Sequence, residues 1–439
     1  MSTTPPDDAL PIEALPDEAV ALADWCQQVI TTGETAFSAE QTIARRLGAH
    51  WQDGVAQFGV WTPELLDQRV PDGDVFLEVL RPETPLDLTR AHQTVSFART
   101  LLPVARFEAH TFAVATGLRP GRRDETGDFY ALVWRDAEGA WHRILDPMAA
   151  SLPFGAFAPA ELYDLDAMQA ARTDGSYYAA LKGEAQHKFG PPVNILQIHV
   201  PTATGGGTLA SLTRHYQRLA DRLRAKLPLE PGDRLFLGYD AVQLLPVEPT
   251  TVFETGPSFW QETGHDMFPE ELPGNSATLE VDLTRPNTTN WGYDVVISGM
   301  AAVNPVLLET GRPDALLDLA AALHSIPRPP KLQILDVVFG HADNQGLAAL
   351  NSHFFTGPNM YGQNLDYRNP AVRAILLEMQ RRKVNFGADG VRVDGAQDFK
   401  WWDPRTQELR HDDEYLQSMA DLSQHVAGLD YRPWFVFED

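Results

Sequence analysis

A single cysteine, Cys26, occurs in 439 residues, so neither an intrachain disulfide nor a cysteine-based zinc site is available. Basic residues are scarce as well. Lysine and arginine number 35 against 60 acidic residues, a formal net charge of -25, and no basic run occurs anywhere. A surface of that sign repels phosphate backbones and anionic headgroups. It excludes nucleic acid and membrane as expected partners and favours a neutral or cationic ligand. No apolar run approaches the ~20 residues of a membrane span. The N-terminal MSTTPPDDALP lacks the basic and apolar regions of a signal peptide, so the expected location is cytoplasmic. What the chain does have is 44% hydrophobic residues, enough for two or three domains and a large core.

Along the chain the texture changes twice. Residues 1 to about 16 carry four prolines and three acidic residues with little to pack, and apolar spacing from Asp17 to about Leu47 predicts two helices. From 51 to 190 the period shifts towards two. Gln57–Pro63, Val75–Arg81, Ala109–Ala115 and Tyr130–Trp134 read as short strands, and DAEG at Asp136–Gly139 reads as a hairpin turn. Strands at such intervals predict a small β-sandwich. From 191 to 439 strands and helices alternate. The predicted strands are Ile195–Val200, Ala241–Val247, Leu332–Phe339, a run ending at Asp394, and Trp434–Glu438. The helices between them are 209–227, 313–323 and 371–382, the last opened by Asn369 and Pro370.

Polar residues gather at the carboxyl ends of these strands, where parallel barrels place their chemistry. GADGVRVDGAQD at Gly387–Asp398 carries the strongest signal. Arg392 and Asp394 lie two apart on a strand, so they share a face, and the arginine is expected to keep the aspartate ionised as a nucleophile requires. No G-x-G-x-x-G follows a strand, which favours a (β/α)8 TIM barrel over a doubly wound sheet.

DVVFGH (Asp336–His341), GVRVDGAQD and VFED together resemble the first three conserved regions of the α-amylase superfamily, glycoside hydrolase family 13. NWGYD (Asn290–Asp294), NLDYRNPAVR and IHVPTATGGGTLASL are similar to linking segments of the same family. The resemblance covers about 193 to 439. FGVWTP is loosely similar to the carbohydrate-binding-like module that precedes such barrels. The resemblance implies that Asp394 is the nucleophile, Glu438 the general acid and base, and Arg392 the group that orients Asp394. It also implies that His341 bonds sugar hydroxyls, Tyr293 stacks on the glucose ring and Asp336 braces the site. Each has a structural alternative: Asp336 a buried brace, His341 a turn residue, Tyr293 a core residue. Asp389, in the turn, is read as structural. The apolar run Trp434–Phe437 is expected to raise the Glu438 pKa.

The sequence departs from the family at several points. Gly340 stands where many amylases carry a calcium-binding asparagine, and Asp336 lies only 58 residues before Asp394, so no metal and no cofactor are expected. Gln397 and Asp398 replace a Lys-His pair, which points to a small polar leaving group. The aromatic and acidic insertion Glu248–Asn290 is placed to close over such a site. Strands six to eight and the fourth conserved region do not occur before Asp439. The expectation is a barrel of about five strands from a longer enzyme, poorly stable as written. Within the family the layout is most similar to glucosylglycerol hydrolases, so the expected partner is a small-molecule carbohydrate. Glycosyl transfer by the same residues, or sugar binding without catalysis, are the alternatives.

Overall fold

The computed structural model describes residues 11–181, 192–251, 259–263, 277–299, 301–327 and 329–438, leaving aside the side chains of Ser298 and Asp398. The chain opens with helices Pro16–Thr32 and Ala36–Ala44. Thr35 starts the second by accepting the Ser38 N–H in a reciprocal capping box. Its apolar face, with Ile43 and Ala44, packs on the later helix Pro370–Arg382, which explains why that later helix is buried nearly all round.

Two antiparallel sheets follow. Gly48–Gln52, Val55–Trp61, Ala105–Phe107 and His110–Thr116 belong to one; Val75–Pro82, His92–Pro103, Phe129–Arg135, Trp141–Ile144 and Ala160–Glu161 belong to the other. Phe58 and Val60 of the first meet Leu77, Val79, Tyr130 and Leu132 of the second in a shared core. The hairpin expected at Asp136–Gly139 joins Phe129–Arg135 to Trp141–Ile144, with Gly139 at φ +86°. The 12-residue strand His92–Pro103 has no counterpart in the sequence reading, because a charge, Arg99, occupies one of its buried positions and its turns are not marked by glycine.

The insertion 248–290 takes a different course from the one expected. Its strand Ala277–Thr284 pairs antiparallel with the whole of 92–99, and Trp260–Thr263 pairs on its outer side. Alternation buries Leu279, Val281 and Leu283 against Phe97 and Phe129. The described strands of the insertion therefore extend the N-terminal sheet; they belong in space with residues far before them in the chain.

The second half holds a five-stranded parallel sheet in the order Ile195–Ile198, Ala241–Leu244, Leu332–Val338, Gly390–Asp394, Trp434–Phe437. Chain order equals spatial order, as successive crossovers of one hand require. Helices Leu209–Arg224, Asp314–His324 and Pro370–Arg382 cover the outer face through Val242, Leu244, Leu335, Val391 and Val393. Gln197, Gln243, Asp336, Arg392 and Val436 alternate onto the inner face. Among the described residues this is an open parallel sheet of five strands, in the alternation with helices that was expected. The first strand is shorter than expected, giving way after Ile198 to a turn of helix at Val200–Ala203.

One glycine decides how the fourth strand is delivered. Gly387 sits at φ +87° between the end of the helix and the strand, and a Cβ there would lie 2.4 Å from the Ala320 Cβ. At the opposite end of the sheet from the polar cluster, Asp389 is fully buried and bonds Tyr177, Tyr431, His324 and the Gln333 N–H. No described helix is long and apolar enough to cross a membrane.

Candidate active site

Parallel register sets Arg392 beside Asp336 on one side and Val436 on the other, with Asp394 one inward position further along. The Arg392 guanidinium uses that placement fully. Nη1 donates to Asp394 Oδ1 at 2.5 Å and to Asp336 Oδ1 at 2.9 Å, while Nη2 reaches Glu438 Oε1 at 2.6 Å. Three carboxyls from three adjacent strands converge on one cation. Glu438 also accepts the Gly395 N–H at 2.9 Å, and its own N–H donates to the Val393 carbonyl. Gly395, at φ +67°, turns the chain just past Asp394 and so aims that N–H back at Glu438.

Asp336 forms the floor. It has no exposed surface and takes bonds from Gln243 Nε2 at 2.9 Å and the Tyr293 hydroxyl at 2.8 Å besides Arg392. Burial nevertheless pushes its pKa up to about 6, with Arg392 pulling the other way. On Arg392 burial opposes the charge, but the bonds to Asp336 and Asp394 outweigh it and hold the guanidinium charged. A side chain 15% exposed that serves three carboxyls is costly to build unless its field has a use.

The two catalytic candidates are polarised in the opposite sense to the expectation. Asp394 is pushed up from the usual carboxylate range, by burial first and then by the neighbouring Glu438, against the pull of Arg392. Glu438 is held down, by the Gly395 N–H first, with burial opposing and Arg392 assisting. Strand alternation explains the miss. Phe435 and Phe437 stack together on the outer face with the helices, so they do not surround Glu438, whose side chain is 40% exposed against 18% for Asp394. Arg392 is divided among three acids and does not belong to Asp394 alone.

Of the other predicted residues, Tyr293 lies at the cluster through its bond to Asp336, and His341 adjoins Tyr293, with Nε2 3.3 Å from its carbonyl oxygen. Gln397 lies in the short helical turn Ala396–Asp398, directly after the Asp394–Gly395 bend, and its Oε1 is buried with no hydrogen-bond partner among the described residues. The side chain of Asp398 falls outside the described residues. The sequence reading missed Gln243, which bonds Asp336, and Gln197, which lies 3.5 Å from the Tyr293 hydroxyl. The signal was present: each is a polar residue at an inward position of an otherwise apolar strand.

Solved structures share this fold at low identity. The chain aligns with the catalytic module of a multi-modular, glycogen-degrading pneumococcal virulence factor, SpuA (TM-score 0.53, 15% identity, 88% of this chain and 51% of that one). It aligns with a protein of Salmonella typhimurium provisionally assigned as an alpha amylase (0.52, 16%, 90% and 49%) and with the Group B Streptococcus pullulanase SAP (0.51, 18%, 85% and 44%). The chain thus spans about half the length of the structures it matches. No curated protein sequence matches it. A family model, that of hypothetical glycoside hydrolase 5 (GHL5), matches residues 21–439. With that match extending over nearly the whole sequence, the chain belongs to the hypothetical glycoside hydrolase 5 family.

Proposed function

We propose that this chain carries the catalytic carboxyls of a retaining α-glucoside hydrolase. The observation that carries the reading is the single guanidinium of Arg392 bonded to both Asp394 and Glu438, on adjacent strands at the carboxyl end of the sheet. A retaining glycosidase needs two carboxyls about 5–5.5 Å apart, one attacking the anomeric carbon and the other protonating the leaving oxygen. Asp394, more buried and aimed from the strand end, takes the nucleophile's part and forms a glucosyl ester. Glu438, the more exposed, takes the acid's part. It must release Arg392 and the Gly395 N–H as the glycosidic oxygen arrives, and the water excluded by the sugar then raises its pKa towards the protonated form. The same departure leaves Arg392 to Asp394 and Asp336, which lowers the Asp394 pKa and restores the nucleophile.

The finer reading is a small α-glucoside, with glucosylglycerol as the specific candidate. Gln397 supports it. Its buried Oε1, three residues past the nucleophile in the chain and unpartnered among the described residues, is an acceptor that a hydroxyl of a polyol leaving group would satisfy. The test is release of free glucose from glucosylglycerol, trehalose, maltose and soluble starch, with the anomer of the first product followed by NMR. α-Glucose should appear first, and Asp394→Ala or Glu438→Gln should cut turnover by at least about a thousandfold. β-Glucose as first product, or an Asp394→Ala variant with undiminished turnover, would sink the proposal.

A further inference from the structure

Two large aromatic rings stand in solvent against residues that adjoin the carboxyl cluster, and the catalytic scheme gives neither a part. Tyr361 is 61% exposed and Trp291 60%. Each lies against a ring already placed at the site. Tyr361 is 5.0 Å from His341 at an interplanar angle of 30°, and Trp291 is 4.8 Å from Tyr293 at 55°. His341 touches the Tyr293 carbonyl and the Tyr293 hydroxyl bonds Asp336, so a chain of contacts runs from both exposed rings to the acid cluster.

The backbone holds both rings in water on purpose-shaped turns. Tyr361 is at the tip of the hairpin Phe355–Asn359 with Gly362–Leu365, where Asn359 Oδ1 accepts the Tyr361 N–H at 2.8 Å and Asn359 Nδ2 donates to Asn364. Gln363 exchanges two backbone bonds with Ala342, the residue after His341. Gly362, at φ +140°, makes that approach feasible, since a Cβ would lie 2.3 Å from the Ala342 carbonyl oxygen. Trp291 precedes Gly292, at φ +106°, whose N–H donates to Asn290 Oδ1 and whose Cβ would meet the Pro246 carbonyl at 2.8 Å. Neither ring is loose surface; each is an ordered, open face against a residue that adjoins the polar cluster.

A pyranose ring presents hydroxyls at its rim and C–H groups on its faces, so it needs polar partners at its edge and a flat apolar surface below. We infer that Tyr361 and Trp291 are binding walls of the glucosyl subsite, packing on C–H faces of the sugar ring next to His341 and Tyr293. This rests on the α-glucoside reading above. Because both rings lean on residues of the glucosyl side, their contribution is independent of the leaving group.

The test measures kcat and KM for glucosylglycerol, trehalose and maltose with wild type, Tyr361→Ala, Trp291→Ala and Tyr361→Phe, each checked for native circular dichroism. Each alanine variant should raise KM about tenfold on every substrate turned over, with kcat little changed, and Tyr361→Phe should recover most of the loss. Unchanged KM, or a rise confined to one leaving group, overturns the assignment while leaving the hydrolase reading intact. Should wild type release glucose from nothing, the hydrolase reading falls, and calorimetric titration with methyl α-glucoside decides this one separately. Binding weakened about tenfold in Tyr361→Ala supports the subsite; equal binding, or none in either protein, overturns it.

Discussion

Asp336 is fully enclosed, takes three donors and still titrates near 6, so at neutral pH the fold carries a charge that it would hold more easily as a neutral acid. The sign follows from the raised value. Between 3.8 and about 6 the folded state binds more proton than the unfolded one, so this carboxyl's contribution to stability falls as pH rises through that window. Asp336→Asn removes the ionisation and, with its oxygen in the place of Oδ2, keeps the acceptor that Tyr293 and Gln243 share. Relative to wild type it should gain about 3 kcal/mol between pH 4 and pH 7, read from urea denaturation at each pH. A stability difference that stays flat across that range would refute the account. Arg392 and Asp394 were legible as a pair because strand periodicity puts them on one face, whereas Asp336 and Glu438 came from the resemblance of DVVFGH and VFED to known conserved regions. Their relative ionisation was not, because it depends on how one guanidinium is divided among carboxyls that the sequence keeps 44 to 102 residues apart.

At the scale of elements, the starts of well-capped helices were read to within a residue, while the end expected at 227 falls at Arg224. Thr208 with Ser211 opens Leu209–Arg224, and Asn369 with Pro370 opens Pro370–Arg382. The turn that feeds the catalytic strand is the more sensitive joint. Gly387→Ala adds a left-handed strain and a clash with Ala320, an expected loss of about 2 to 4 kcal/mol. Combining it with Ala320→Gly should return the steric part, which a thermal melt of the double variant reads. Nearby, His324 bonds Asp174 and Asp389 at once and stacks on Tyr177 at 3.6 Å. Burial opposes its charge, but the two aspartates raise its pKa to about 9. This stabilisation is complete below 6.5 and is lost as pH rises through about 9, so Tm should fall between pH 7 and 10, and His324→Gln should flatten that slope. No sequence rule pointed to this clamp, because its members come from a helix, a strand turn and a segment between the two halves.

Across the whole molecule, buried polar contacts tie the antiparallel sheets to the parallel one. Arg312 bonds Glu161 at 2.8 Å with both nearly sealed from water, Tyr163 bonds Asp314, and Arg382 donates to the carbonyls of Leu47 and Met148. Arg312→Ala leaves Glu161 buried without its cation and should cost about 3 to 5 kcal/mol, whereas Arg312→Met with Glu161→Gln should cost much less. Equal losses in the two would show that the pair's charge is not what matters. Unfolding should be a single transition for fluorescence and circular dichroism alike, because these pairs join the antiparallel sheets to the parallel one. By itself the sequence determined the local periods, the caps, the alternation of strand and helix and the inward face that carries Arg392 and Asp394. These depend on neighbours within a few residues. Only the tertiary structure decided that Ala277–Thr284 joins a strand 185 residues earlier, that Phe435 and Phe437 turn away from Glu438, and that Tyr361 and Trp291 lie against His341 and Tyr293. Each of those is set by register and by burial against distant segments, and neither is written in any short window of residues.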